Sequence, residues 1–214
     1  MTLKTIVMTT LNQGKVKEFK ELLKSDKYHI KSLNSFKGVI SVEETGKTFE
    51  ENAILKAHEY GIFCENICIA DDSGLAVDVL DGAPGVYSAR FAESDEEKCE
   101  KLLDLMKNID ESNRTARFIC TAALYMSQNL VTSLRRDFAH SNDYKFFDNV
   151  ITATGTLEGS IAFEKKGLNG FGFDPIFYIP ALNKNLAELD SNEKNLISHR
   201  GKALKKIKQL LDYM

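Results

Sequence analysis

The sequence has little cysteine, little net charge and no long apolar run. Its four cysteines, Cys64, Cys68, Cys99 and Cys120, lack the paired spacing of a metal site. They read as reduced thiols that fill a core. Net charge over 214 residues is −3, so no global field draws in nucleic acid or an anionic membrane. A phosphorylated ligand would have to be held by local positive charge. No apolar stretch approaches the length that spans a bilayer. The opening segment, MTLKTIVMTT, reads as a strand entering a loop rather than a basic end followed by an apolar run. A cytoplasmic protein is therefore expected. Internal repeats and low-complexity tracts are also missing.

What is present suits a globular chain: 43% hydrophobic and 28% charged residues. Residues 1–214 read as a single domain, or two closely packed lobes, of mixed α/β type. Thr5 to Thr9 is a short apolar strand, and Val16 to Lys24 carries a helical stripe of Val16, Phe19, Leu22 and Leu23. His29 to Leu33 reads as a second strand. Thr48 with Glu51 three positions on is a capping-box pattern, so a helix is expected from Thr48. Ile67 to Ala70 reads as a buried strand running into an acidic turn, Asp71-Asp72-Ser73-Gly74, which the chain leaves extended. Ser94 to Met106 is an amphipathic helix, and Arg117 to Met126 a strand. Val150 to Phe163 suggests two short strands broken by Gly155 and Gly159. Residues 133–149 show the least pattern and suggest a surface insertion. A last helix from Ser198 carries Ala203, Leu204, Ile207, Leu210 and Leu211 on one side.

Five segments carry chemistry. Thr10-Leu11-Asn12-Gln13-Gly14-Lys15 joins a strand to a helix, where backbone N–H groups and a lysine can meet an anion. It is not a Walker motif, because the glycine spacing differs and no Ser or Thr follows the lysine. Glu43, Glu44, Asp71 and Asp72 are the oxygen-rich set that Mg²⁺ prefers. Adjacent strand residues point to opposite faces, so Asp71 and Asp72 should differ in role. Asn52 and Lys56 lie four apart and share a helix face. Gly170-Phe171-Gly172-Phe173-Asp174-Pro175 offers rings to stack on a base and a carboxylate to read its edge. Lys194 to Arg200 places His199 and Arg200 in the first turn of a helix, where cations oppose the dipole unless an anion lies near. Each segment also has a plain structural reading as a loop, turn or solvated helix face.

Together and in this order, the segments TTLNQGKVKEF, EETGKTFEENAILKA, IADDSGLAVDVLDGAPGVYSARF, NGFGFDPIF and EKNLISHRGKAL resemble the inosine triphosphate pyrophosphatase family, the XTP/dITP diphosphatases. The match runs from the first strand to the last helix. It implies a two-lobed mixed-sheet fold with flanking helices and a deep central cleft. It also implies a homodimer and Mg²⁺-dependent cleavage of ITP, dITP and XTP between the α and β phosphates. Asp72 would be the proton acceptor and a metal carboxylate, with Glu43, or less favourably Glu44, as the second. Thr10, Asn12 and Lys15, helped by Lys56, would bind the triphosphate, and Ser73 would touch substrate. Phe171, Gly172, Phe173, Asp174, Lys194, His199 and Arg200 would surround the base. The chain departs from the family pattern at Leu11, where glycine is usual, in residues 133–149, and in FEKKGLNG, which lacks the usual proline. Rival readings are a pyrophosphatase for pyrimidine or modified nucleotides and a nucleotide-binding regulator without catalysis.

Overall fold

In a computed structural model, residues 4–214 are described; the first three residues of the opening segment lie outside this range. The strands are β1 (Lys4–Met8), β2 (Tyr28–Ser32), β3 (Ile67–Val77), β4 (Thr115–Tyr125), β5 (Lys145–Phe146), β6 (Val150–Ile161), β7 (Phe177–Ile179) and β8 (Lys184–Asn185). The helices are α1 (Gln13–Leu22), α2 (Phe49–Cys64), α3 (Asp95–Leu105), α4 (Gln128–Asp137), α5 (Ser191–Ile197) and α6 (His199–Tyr213). The strands form one eight-stranded mixed sheet in the order β2-β1-β3-β4-β6-β7-β8, with β5 beside β6. β1 runs parallel to both β2 and β3, whereas β6, β7 and β8 pair antiparallel. This confirms the mixed α/β fold.

The chain divides into two compact units. The first holds the described residues up to Asp72, then Cys120–Gly155 and Arg200–Met214; the second holds Ser73–Ile119 and Thr156–His199. In the first unit, strand alternation assigns each residue its layer. Ile6, Met8, Ile69, Cys120, Ala122, Leu124, Ile151 and Ala153 pack with the apolar stripes of α1 and α6. Their neighbours Val7 and Cys68 pack with α2 through Tyr60 and Cys64, and Ala70, Ala123 and Val150 meet α2 through Ala53 and Ala57. A Cβ on Gly61 would come within 2.1 Å of the Tyr125 ring, so only glycine lets α2 lie this close. The second unit has its own core, in which Leu75, Val77, Leu102, Phe118, Ile161, Phe173 and Phe177 are buried together.

Three expectations are corrected. Asp71-Asp72-Ser73-Gly74 is not a turn, because β3 runs unbroken from Ile67 to Val77. The carboxylates tolerate a buried strand because cations reach them, as described below. Val150 to Ile161 is likewise one strand, not two. Gly159 is there because a Cβ would come within 2.4 Å of the Tyr178 carbonyl oxygen on β7. Residues 133–149 are partly regular: they finish α4 and supply β5. Leu134 and Tyr144 are buried, and the Tyr144 hydroxyl donates to the Lys206 carbonyl at 3.1 Å. Phe138 meets both Tyr144 and Tyr213 edge-on, which docks the segment on α6.

Candidate active site

The phosphate-loop candidate is built by capping. As β1 ends, the Thr9 N–H and hydroxyl both donate to the Ile69 carbonyl, at 3.0 and 3.1 Å. The Thr10 hydroxyl accepts from the Asn12 N–H at 3.3 Å, and the Asn12 side chain caps α1 by accepting from the Lys15 N–H at 3.1 Å. Leu11 is 53% exposed. Positive φ outside glycine occurs, among the described residues, only at Glu65, Asp81 and Asn183. Leu11 thus stands in place of the usual glycine without left-handed strain.

Alternation on β3 then separates the two aspartates, as expected. Asp71 shares the α1 and α6 layer. Its Oδ2 receives Lys15 Nζ at 2.9 Å and Arg200 Nε at 3.2 Å. Arg200 Nη1 also pairs with Glu18 at 2.5 Å, one turn beyond Lys15 on α1. Burial alone would raise the Asp71 carboxyl, but Lys15, Arg200 and then Lys56 outweigh it and hold it well below the usual carboxylate range.

Asp72 faces α2. Its Oδ2 accepts from Asn52 Nδ2 at 3.2 Å, and its Oδ1 pairs with Lys56 Nζ at 3.2 Å. Lys56 in turn pairs with Glu44 at 2.5 Å. Burial raises the Asp72 carboxyl above its ordinary value against the pull of Lys56. Lys56 is pushed the other way by burial, yet Asp72, Asp71 and Glu44 prevail and raise it. The two neighbours are thus pushed in opposite directions, Asp71 below its ordinary value and Asp72 above it.

The helix and the loop before it are locked together. Thr48 caps α2, and Glu51 completes the capping box by accepting from the Thr48 N–H. Asn52, 0% exposed, accepts from the Gly46 N–H at 2.8 Å while it donates to Asp72. A Cβ on Gly46 would lie 2.6 Å from Asn52 Oδ1 and 2.7 Å from Glu51 Cβ. Gly46→Ala should therefore displace the loop that carries Glu44. We expect a stability loss of about 1–3 kcal/mol and up to roughly 100-fold lower kcat/KM, read by calorimetry and steady-state kinetics.

The two glutamates differ in placement. Glu44 joins the Lys56–Asp72 network, whereas Glu43 is exposed and lines a separate hollow of about 450 Å³ with Ile40, Val42, Leu55, Tyr60 and Phe63. Asn52 is the site residue that sequence reasoning weighed but did not carry forward. Its spacing from Lys56 was the available signal. Glu18 was missed, and its one mark was a charge beside the apolar stripe of α1.

The remaining candidates lie in the second unit, Arg200 apart. Asp174 accepts from the Phe171 N–H at 2.9 Å and from Lys194 Nζ at 2.6 Å, and Lys194 sits 4.6 Å from the Phe171 ring centroid. Gly170 and Gly172 both have positive φ, and a Cβ on Gly170 would strike Asp174 Oδ2. The Gly172 N–H donates to Asp95 at 2.7 Å. Phe173 is buried against Phe91. The His199 ring stacks on Phe118, with centroids 4.7 Å apart and planes at 9°. Ser73 directly follows Asp72 on β3 and is half-buried.

Clustered carboxylates and lysines beside a capped strand-to-helix loop are the equipment of a protein that handles phosphate anhydrides on an α/β sheet. Residues 6–210 match the Ham1 family, and the chain belongs to that family. It is 46% identical over 210 residues to a dITP/XTP pyrophosphatase of Desulforamulus reducens, covering 97% of this chain and 95% of that protein. Among solved structures it resembles a HAM1 protein from Coxiella burnetii, with TM-score 0.82 and 37% identity over 99% of this chain and all of that one. The Ham1 protein of Staphylococcus aureus aligns with TM-score 0.79 and 39% identity, over 98% of this chain and 99% of that one.

Proposed function

We propose that this protein hydrolyses the non-standard purine nucleotides ITP, dITP and XTP to the nucleoside monophosphate and pyrophosphate, with Mg²⁺ as cofactor. The observation that carries the reading is the division of labour on β3: Asp71 tied to Lys15, Asp72 tied to Asn52 and Lys56. The names of the relatives support the substrate class.

The donor chemistry fits Mg²⁺. Glu44 and Asp72 share one lysine and present oxygen ligands, and this ion commonly takes one or two carboxylates and completes its shell with water and phosphate. We assign it to Glu44 and Asp72 in preference to Glu43. When bound, it would offset phosphate charge and lower the pKa of a water molecule. The same cluster ties Lys15 and Arg200 to Asp71, Arg200 to Glu18, and Lys56 to Glu44 and Asp72.

Asp72 accepts the proton of the attacking water, and Asn52 fixes the carboxylate's orientation. Thr10, Asn12 and Lys15 receive the phosphates at the start of α1, and Lys56 stabilises the leaving pyrophosphate. Ser73 contacts substrate. Phe171, Gly172, Phe173, Asp174, Lys194 and His199 are assigned to the base. Arg200 is assigned with them, although its guanidinium also carries the pairs to Glu18 and Asp71. A donor there favours a 6-oxo purine and is left unpaired against adenine.

With Mg²⁺, purified protein should release pyrophosphate from ITP or XTP at least tenfold faster than from ATP or GTP, and a chelator should stop it. Orthophosphate as the product, or equal rates on all four, would sink the proposal. A cytoplasmic homodimer is the expected form, checked by fractionation and light scattering. Among the described residues no helix is long and apolar enough to cross a membrane.

A further inference from the structure

We propose that Asp71 is a positioning residue that sets the Lys15 ammonium for the phosphates, with Arg200 and Glu18 as the brace that fixes Asp71. This rests on the function proposed above. Lysine carries its charge on a flexible four-carbon stem with many rotamers. A lysine that must meet a developing phosphate charge gains from being held beforehand.

The geometry supplies that hold. Lys15 Nζ reaches Asp71 Oδ2 at 2.9 Å, and the lysine side chain keeps 17% exposure, so it is anchored from within without being sealed off. The anchor itself is almost out of water, with the Asp71 side chain 1% exposed and that of Arg200 2%. Arg200 Nε donates to the same Oδ2 at 3.2 Å, while its Nη1 holds Glu18 on the helix that carries Lys15. Cys120 Sγ approaches that oxygen at 3.8 Å from β4. One carboxylate oxygen thus collects contacts from α1, β4 and α6. A guanidinium presents its donors in a rigid plane, so two acceptors on different elements fix each other's position.

Position and charge can be separated experimentally. Removing the Asp71 charge makes the surroundings of Lys15 more positive, which favours ground-state binding of phosphate. It also frees the ammonium, which weakens stabilisation of the transition state. Asp71→Asn should therefore lower kcat on ITP, per folded molecule, by about tenfold or more without raising KM. In a Lys15→Met background the same change should alter kcat less than about twofold, because Asp71 acts through Lys15. Should Asp71→Asn fail to fold, Asp71→Glu keeps the charge and moves it by one methylene. It should show the same kcat loss and the same silence without Lys15.

The test is that double-mutant cycle on the full chain, with folded fraction measured by calorimetry. Losses that multiply in the double variant, or a raised KM with kcat unchanged, overturn the positioning role alone. A folded wild type that releases no pyrophosphate from ITP overturns the proposed function and this role with it.

Discussion

Replacing Asp72 with asparagine should yield a folded protein, of equal or higher Tm, that releases pyrophosphate from ITP roughly 10²–10⁴-fold more slowly. The kinetic half follows from the base role proposed above, because an amide cannot accept the water proton. The stability half follows from burial. Asp72 is buried, and its carboxyl is raised above the ordinary value by desolvation. Its folded-state pKa therefore lies above its unfolded one, near 3.9. Such a group loses stability as pH rises from the unfolded value through the folded value. Asparagine never ionises and escapes that loss. The Tm difference, variant minus wild type, should thus grow as pH rises from the unfolded value and level off only above the folded one. A calorimetric series over pH, run beside pyrophosphate release, checks both halves. Near-normal turnover would remove Asp72 from the base role. A fall in Tm at neutral pH would show that its pairs with Lys56 and Asn52 outweigh its burial.

The same logic shows what could be read from the sequence and what could not. Local rules worked wherever the cause was local. The Thr48–Glu51 capping box, the apolar side of α6 and the opposite faces of Asp71 and Asp72 all follow from neighbours a few positions away. The acidic turn was misread because a run of two aspartates, a serine and a glycine has turn composition. What keeps β3 straight is charge arriving from far along the chain. Lys15 and Lys56 come from earlier helices, and Arg200 lies 129 positions beyond Asp71. The sequence left the choice between Glu43 and Glu44 open for a related reason. Adjacent loop residues carry no periodicity, and the direction of each is decided by the Gly46–Asn52 hydrogen bond and by Lys56. Residues 133–149 looked irregular because their order comes from aromatic contacts with α6 and one short ladder on β6, not from a repeat within the segment.

Arg200→Met should be the most destabilising single change at the site, costing about 3–5 kcal/mol. For a chain of this size that corresponds to a fall in Tm of roughly 10 °C. The cause is the loss of one cation that serves two buried anions. Glu18 and Asp71 are both nearly out of water, and Arg200 reaches each of them. With methionine there, Glu18 loses its Arg200 ion pair and Asp71 keeps Lys15 but loses Arg200. The effect should also carry a pH signature. Burial works against the Asp71 carboxyl, but Lys15 and Arg200 hold its folded-state pKa below the unfolded one. Its stabilisation is therefore present above the unfolded value and is lost as pH falls through the folded value. Without Arg200 the folded value rises, so the loss begins earlier and the midpoint of acid unfolding moves to higher pH. Lysine should not rescue the variant, since its compact ammonium lacks the planar fork that spans two acceptors. Selectivity is the second readout. If the ITP-to-ATP ratio of kcat/KM survives in the folded fraction, Arg200 serves as the brace alone. If the ratio collapses along with Tm, the same side chain also reads the base. An unchanged Tm and acid midpoint would remove the brace, and with it the physical reason for burying a guanidinium between two carboxylates.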